Sequence, residues 1–128
     1  MKPQGNPVGW FEIPVVDMKK AIEFYETVFN IRLEEHKLGD LQMAWFPMVK
    51  GKEGATGSLV KHDEHYRPCN TGTLVYFTAH SGDLKNELGR VEDAGGKVMQ
   101  EKTQLGENGF VAFVLDTEGN KIALHSMK

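Results

Sequence analysis

The chain has a single cysteine, Cys69, so no intramolecular disulfide can form and nothing calls for an oxidising compartment. It has no long apolar run. Met1 leads into Lys2-Pro3-Gln4-Gly5-Asn6-Pro7, which reads neither as a signal peptide nor as a membrane span, so a cytoplasmic protein is expected. It also lacks a dominant charge. Fifteen Lys and Arg against eighteen Asp and Glu leave a net charge of −3, which gives no electrostatic reason to expect nucleic acid or an anionic membrane as partner. Phosphate-binding loops are missing too. The tract from Gly51 to Ser58 has no Gly-Lys-Ser/Thr ending, and Gly95-Gly96 follows a helical stretch instead of opening one.

What remains is 128 residues with 40% hydrophobic and 26% charged side chains, ordinary for one globular domain over 1–128. A chain of this length buries about two-thirds of its unfolded surface without needing staples. Its most informative feature is a half-length repeat. Val15-Val16-Asp17 opens an amphipathic stretch, and Ser81-Gly82-Asp83 opens another sixty-six positions later. Repeated units of this kind decide architecture. Strand-like alternation over 8–15 puts Phe11, Ile13 and Val15 on one side and Trp10, Glu12 and Pro14 on the other. Asp17 then serves as N-cap to a helix with Met18, Ile22, Tyr25, Val28 and Phe29 as its apolar stripe. Strands are expected over 31–37, 40–48 and 58–61, the first two around a Leu38-Gly39-Asp40 turn.

After the polar stretch 62–71 the order restarts. A strand over 73–79, a helix over 83–94 ended by Gly95-Gly96, and strands over 97–101, 109–115 and 121–125 follow. Asp116-Thr117-Glu118-Gly119-Asn120 has hairpin-turn chemistry. The pattern predicts an α+β fold of two βαβββ modules, 8–61 and 72–126, joined by a linker at 62–71 and packed together with any site in the groove between them.

Gly9-Trp10-Phe11-Glu12-Ile13-Pro14-Val15-Val16-Asp17, with Ala21 and Phe24-Tyr25, resembles the opening of the vicinal oxygen chelate superfamily. That group includes glyoxalase I, bleomycin-resistance proteins and extradiol dioxygenases. Phe113-Val114-Leu115-Asp116-Thr117-Glu118-Gly119-Asn120-Lys121-Ile122-Ala123-Leu124 is similar to its final hairpin, with Thr117 where a proline is usual. The resemblance implies paired βαβββ modules whose sheets curl around a shared cavity, and a homodimer. In metal-dependent members it also implies four His, Gln or Glu ligands from the first and last strands of each half. Carried over, those positions fall on Trp10, on Gly57 or Ser58, on Leu74 and on Ala123, none of which ligates a divalent metal. No metal and no cofactor are therefore expected.

Alternation places Trp10, Glu12, Gln42, Ala44, Phe46, Leu74, Tyr76, Ala123 and His125 on the cavity face. Trp10, Gln42, Phe46, Leu74 and Tyr76 are the candidate contacts for a small, partly apolar or aromatic ligand, against the plainer reading that they only fill a barrel. Glu12 is a candidate general base if it loses hydration beside Trp10; otherwise it is a surface carboxylate or one paired with Arg32. His125 is either a proton carrier at the cavity edge or an ordinary strand-end histidine. His62 and His65 lack His-Glu-x-x-His spacing and read as loop residues bordering the cleft. Cys69 has no cationic helix terminus nearby and is not expected to act as a nucleophile. The alternatives to a metal-free binding protein are a metal-independent lyase or isomerase using Glu12 or His125, and a dioxygenase or glyoxalase with a relocated metal site.

Overall fold

The two aspartates of the repeat do the same work in the computed structural model, which describes residues 2–128. Asp17 accepts from the Lys20 N–H at 3.1 Å and Asp83 from the Lys85 N–H at 2.9 Å. Each supplies an acceptor to a helix N-terminus that would otherwise leave donors bare. The helices they open are α1 (Met18–Phe29) and α2 (Leu84–Val91). α1 ends at Asn30, whose left-handed φ of 54° lets its N–H return to Glu26. α2 stops three residues short of the expected Ala94. The chain turns instead through Gly95 (φ 98°), and the Gly96 N–H bonds back to the Val91 carbonyl.

Around α1 lie β1 (Phe11–Pro14), β2 (Glu34–Leu38), β3 (Leu41–Trp45) and β4 (Gly57–Lys61). Around α2 lie β5 (Val75–Thr78), β6 (Lys97–Gln104), β7 (Phe110–Leu115) and β8 (Lys121–Ser126). The first sheet has the order β1-β4-β3-β2 and the second β5-β8-β7-β6, so the repeat holds at the level of topology. In both, the opening strand pairs in parallel with the closing one: Phe11 faces Gly57, and Val75 faces Ile122. This fold is α+β, two four-stranded mixed sheets with two helices. Among the described residues no helix is long and apolar enough to cross a membrane.

Both helices pack on one side of their sheets and against each other. Between them lies one continuous core, with Ile13, Ala21, Phe24, Val28, Ala44 and Leu59 from the first half meeting Leu84, Val91, Ala112, Val114, Ile122 and Leu124 from the second. In α1 it is Ala21 and Phe24, beside Met18, Tyr25 and Val28, that are buried; Ile22 and Phe29 sit at the margin. Phe77 of β5 is the main aromatic link between modules. Its ring stacks 4.6 Å from Phe29 and lies 5.5 to 5.7 Å from Phe46, Tyr25 and Phe11.

The turn between β7 and β8 reaches back across the molecule. Tyr25 donates its hydroxyl to Asp116 at 2.6 Å in a buried contact. Asn120 donates to the Pro14 carbonyl at 2.7 Å and accepts from the Cys69 N–H at 3.0 Å. Glu118 accepts from the backbone N–H groups of Val16 and Asp17, adding an anion to the start of α1. Burial pushes the Asp116 carboxyl up, against the lowering effect of its donors Tyr25, Asn120 and Glu118. Burial, and then the Asp116 charge, raise the Tyr25 phenol well above its ordinary value.

Candidate functional site

The faces turned away from the helices were expected to carry the site. Directly paired residues of neighbouring strands share a face, so the register settles which side chains lie there. In the first sheet Glu12 faces Ser58, Ser58 faces Trp45, and Trp45 faces Glu34. Pro14, Val60, Met43 and His36 form the next row. The helix-free face of the first module therefore bears Trp10, Glu12, Trp45, Met43, Glu34 and His36.

This corrects the expected cavity face in β3. Ala44 pairs with Leu59, which pairs with Ile13, all three buried in the helix-side core. Gln42 and Phe46 share that side, and Phe46 packs on Tyr25, Phe11 and Phe77. Neither Gln42 nor Phe46 stands with Trp10. Trp45 and Met43 do.

The face is a chain of contacts. The Trp10 indole N–H donates to Glu12 Oε2 at 3.2 Å, and the Tyr66 hydroxyl, arriving from the linker, donates to Glu12 Oε1 at 2.6 Å. Accepting by Glu12 raises the Tyr66 phenol. Glu12 thus has two neutral donors and no ion pair: Arg32, its expected partner, makes none with it among the described residues. Trp10 meets Trp45 edge to face, ring centres 5.8 Å apart. The His36 imidazole stacks on Trp45 at 3.7 Å, and its Nε2 lies 2.7 Å from Glu34. The Trp45 indole N–H is buried and has no acceptor among the described residues.

In the second module Tyr76 pairs with Ala123 and Thr78 with His125, so the expected Tyr76, Ala123 and His125 lie on the helix-free face together with Thr78, which was not expected there. Leu74 sits just before β5, half-buried. Tyr76 is exposed. His125 Nε2 lies 2.6 Å from the Asn108 carbonyl, which only accepts, so that nitrogen carries the proton and ties β8 to the 3₁₀ turn Gly106–Asn108. No described hydrogen bond or ring contact joins Tyr76, Leu74 or His125 to the Trp10–Glu12 group.

The remaining candidates are more modest. His62 Nδ1 accepts from the Glu64 and His65 N–H groups, and its ring stacks on His65. His62 borders an open depression of about 390 Å³ with Asp40, Gln42, Lys61, Asp63 and Glu64. A second one, about 830 Å³, lies between the start of α1 and Glu35, Gln42 and Lys61. Neither is bordered by Trp10, Tyr76 or His125. The exposed Cys69 thiol is drawn below its ordinary range by hydrogen bonds from Thr71, a local effect that sequence did not show.

The donor set does not fit the metal that the fold suggests. Trp10, Leu74 and the buried Ala123 offer no lone pair, and the Ser58 hydroxyl is engaged by the Ala44 and Leu59 carbonyls. Among the described residues no three His, Cys, Asp or Glu side chains gather to hold an ion.

Residues 8–124 match the model of the glyoxalase/bleomycin resistance protein/dioxygenase superfamily. No curated protein matches the chain. Among solved structures, TnmS3, an antibiotic-binding protein from Streptomyces sp. CB03234, is similar with a TM-score of 0.66 and 23% identity over 98% of each chain. A glyoxalase/bleomycin resistance protein from Albidiferax ferrireducens T118 gives 0.69 and 16% identity, covering 93% of this chain and 98% of that one. Glyoxalase I from Zea mays gives 0.70 and 19% identity over 94% of this chain, which spans only 46% of the maize protein. With nearly its whole length matched and its two sheets in the same strand order, the chain belongs to the glyoxalase/bleomycin resistance protein/dioxygenase superfamily.

Proposed function

We propose that the protein binds a small, partly apolar or aromatic molecule on the helix-free side of its sheets, without a metal, in the cytoplasm. The observation that carries this reading is the half-exposed aromatic face of the first module. There Trp10 and Trp45 lie edge to face with Glu12 beside them. Flat apolar surface with a few oriented polar groups is the usual make-up of a small-molecule site. The antibiotic-binding neighbour supports the same reading by likeness of fold. Leu74 and Tyr76 are the contacts proposed from the second module.

Binding is favoured over chemistry because both Glu12 oxygens already accept from the chain's own Trp10 and Tyr66, which suits a positioned carboxylate better than a free base. His125 is similarly committed to Asn108. A second copy of the chain, as a homodimer, belongs to this reading, since Trp10 and Tyr76 are large exposed side chains on the helix-free faces.

Native mass spectrometry of the purified protein, beside titration with a panel of aromatic and aliphatic small molecules, tests the proposal. Saturable binding by aromatic members and a dimer mass are expected. Binding by none of them overturns the ligand reading, and a stoichiometric metal removable by EDTA overturns its metal-free part.

A further inference from the structure

The aromatic face is already occupied. His36 lies flat on Trp45, ring centres 3.7 Å apart and 28° from parallel. It is held there by one hydrogen bond to Glu34, a carboxylate whose side chain is 75% exposed, while 30% of the His36 side chain remains open to solvent. This stack has weak anchoring for its position on a large indole.

Charge narrows the ligand. Glu12 and Glu34 stand at the two ends of the row Glu34–His36–Trp45–Trp10–Glu12. Among the described residues neither carboxylate is paired with a lysine or arginine. Indole faces attract cations, and two unneutralised carboxylates repel anions. His36 itself is a planar, protonatable nitrogen ring lying between an indole face and a carboxylate.

We infer that His36 is an internal stand-in for the ligand, and that the ligand is a planar heteroaromatic cation. The inference rests on the proposed aromatic binding face and deepens it. The ligand ring takes the place of the imidazole on Trp45, and its positive charge lies toward Glu34 and Glu12. His36 must swing away first, so the free protein binds with an affinity reduced by the fraction of time that the imidazole covers Trp45.

The test uses the full chain with proflavine, a planar cation, and anthracene-2-sulfonate, a planar anion, each followed by its own fluorescence. Proflavine should bind about tenfold tighter than the sulfonate at low salt. His36→Ala, a change at a solvent-facing position, should tighten proflavine binding about threefold or more by uncovering Trp45. In proton NMR the His36 ring signal, shifted upfield by the indole, should move toward its free position when proflavine binds. Trp45→Leu should abolish binding with the circular dichroism spectrum retained. Proflavine binding that His36→Ala weakens or leaves unchanged, or a His36 signal that stays in place, overturns the inference. So does tighter binding of the sulfonate. In those cases saturable binding of a planar compound still supports the aromatic face. Failure of both compounds to bind wild type and His36→Ala overturns the two readings together.

Discussion

The two modules share strand order and helix-capping chemistry, yet the connection before the closing strand differs completely between them. In the second module this connection is the tight turn from Asp116 to Asn120, which bonds to Tyr25, Pro14, Val16, Asp17 and Cys69. In the first, Phe46 packs into the core and the stretch 47–56 that follows leaves Met48 and Val49 exposed. The same topological slot has become a clasp in one copy and a free loop in the other. Duplication therefore supplies the scaffold twice but divides the labour. The second module secures the first, and the first carries the richer aromatic face.

The sharpest break of this comparison comes at the parallel pair opening each sheet. Gly57 and Ile122 occupy matching positions, but a Cβ on Gly57 would lie 2.2 Å from the Phe11 carbonyl oxygen. Gly57→Ala should destabilise by about 3 kcal/mol or more, since backbone has to move. Denaturant melts measure it, and a loss below about 1 kcal/mol would show that β1 shifts freely.

Next comes the clasp itself. Asn120→Ala strands the Pro14 carbonyl and the Cys69 N–H, and should cost about 2–4 kcal/mol. Removing Lys52 and Glu53 from the free loop should stay within about 0.5 kcal/mol. Equal costs would erase the distinction between clasp and loop. The capping aspartates should be nearly equivalent: Asp17→Ala and Asp83→Ala each lose about 1 kcal/mol.

The smallest effect is one of pH. Burial raises the folded-state Asp116 carboxyl above its unfolded value. Its contribution to stability is therefore full below the unfolded value near 3.9 and is lost as pH rises through the raised folded one. Wild type should gain in melting temperature relative to Asp116→Asn as pH falls from 7 toward 4. A difference that stays flat, or changes in the other direction, counts against a burial-dominated carboxyl.

The architecture was readable because Asp17 and Asp83 each precede a helical apolar pattern, and a cap followed by periodicity is a local signal. The face of β3 was not readable. Leu41, Met43 and Trp45 are as apolar as Ala44 and Phe46, so alternation cannot say which set faces the core. Counting from the turn helps, because Leu38 pairs with Leu41 and Glu34 must then oppose Trp45. That register was available once Gly39-Asp40 was taken as a two-residue turn, and it would have drawn attention to Trp45 and His36. Tyr66 carried no such signal. Its hold on Glu12 spans fifty-four residues and depends on how the linker folds back.

The clasp also bears on how the chain comes together in time. Glu118 meets the start of α1 across 101 residues of sequence, and Asn120 meets Pro14 across 106. Contacts of such separation close late, because a long loop has to be ordered first. As the chain leaves the ribosome, its first half can pair β1 with β4 and cap α1 with Asp17, but Val16 and Asp17 N–H groups wait bare until the last hairpin is made. The final dozen residues thus act as the buckle of a nearly circular belt, and truncating them should loosen the opposite end of the sequence first.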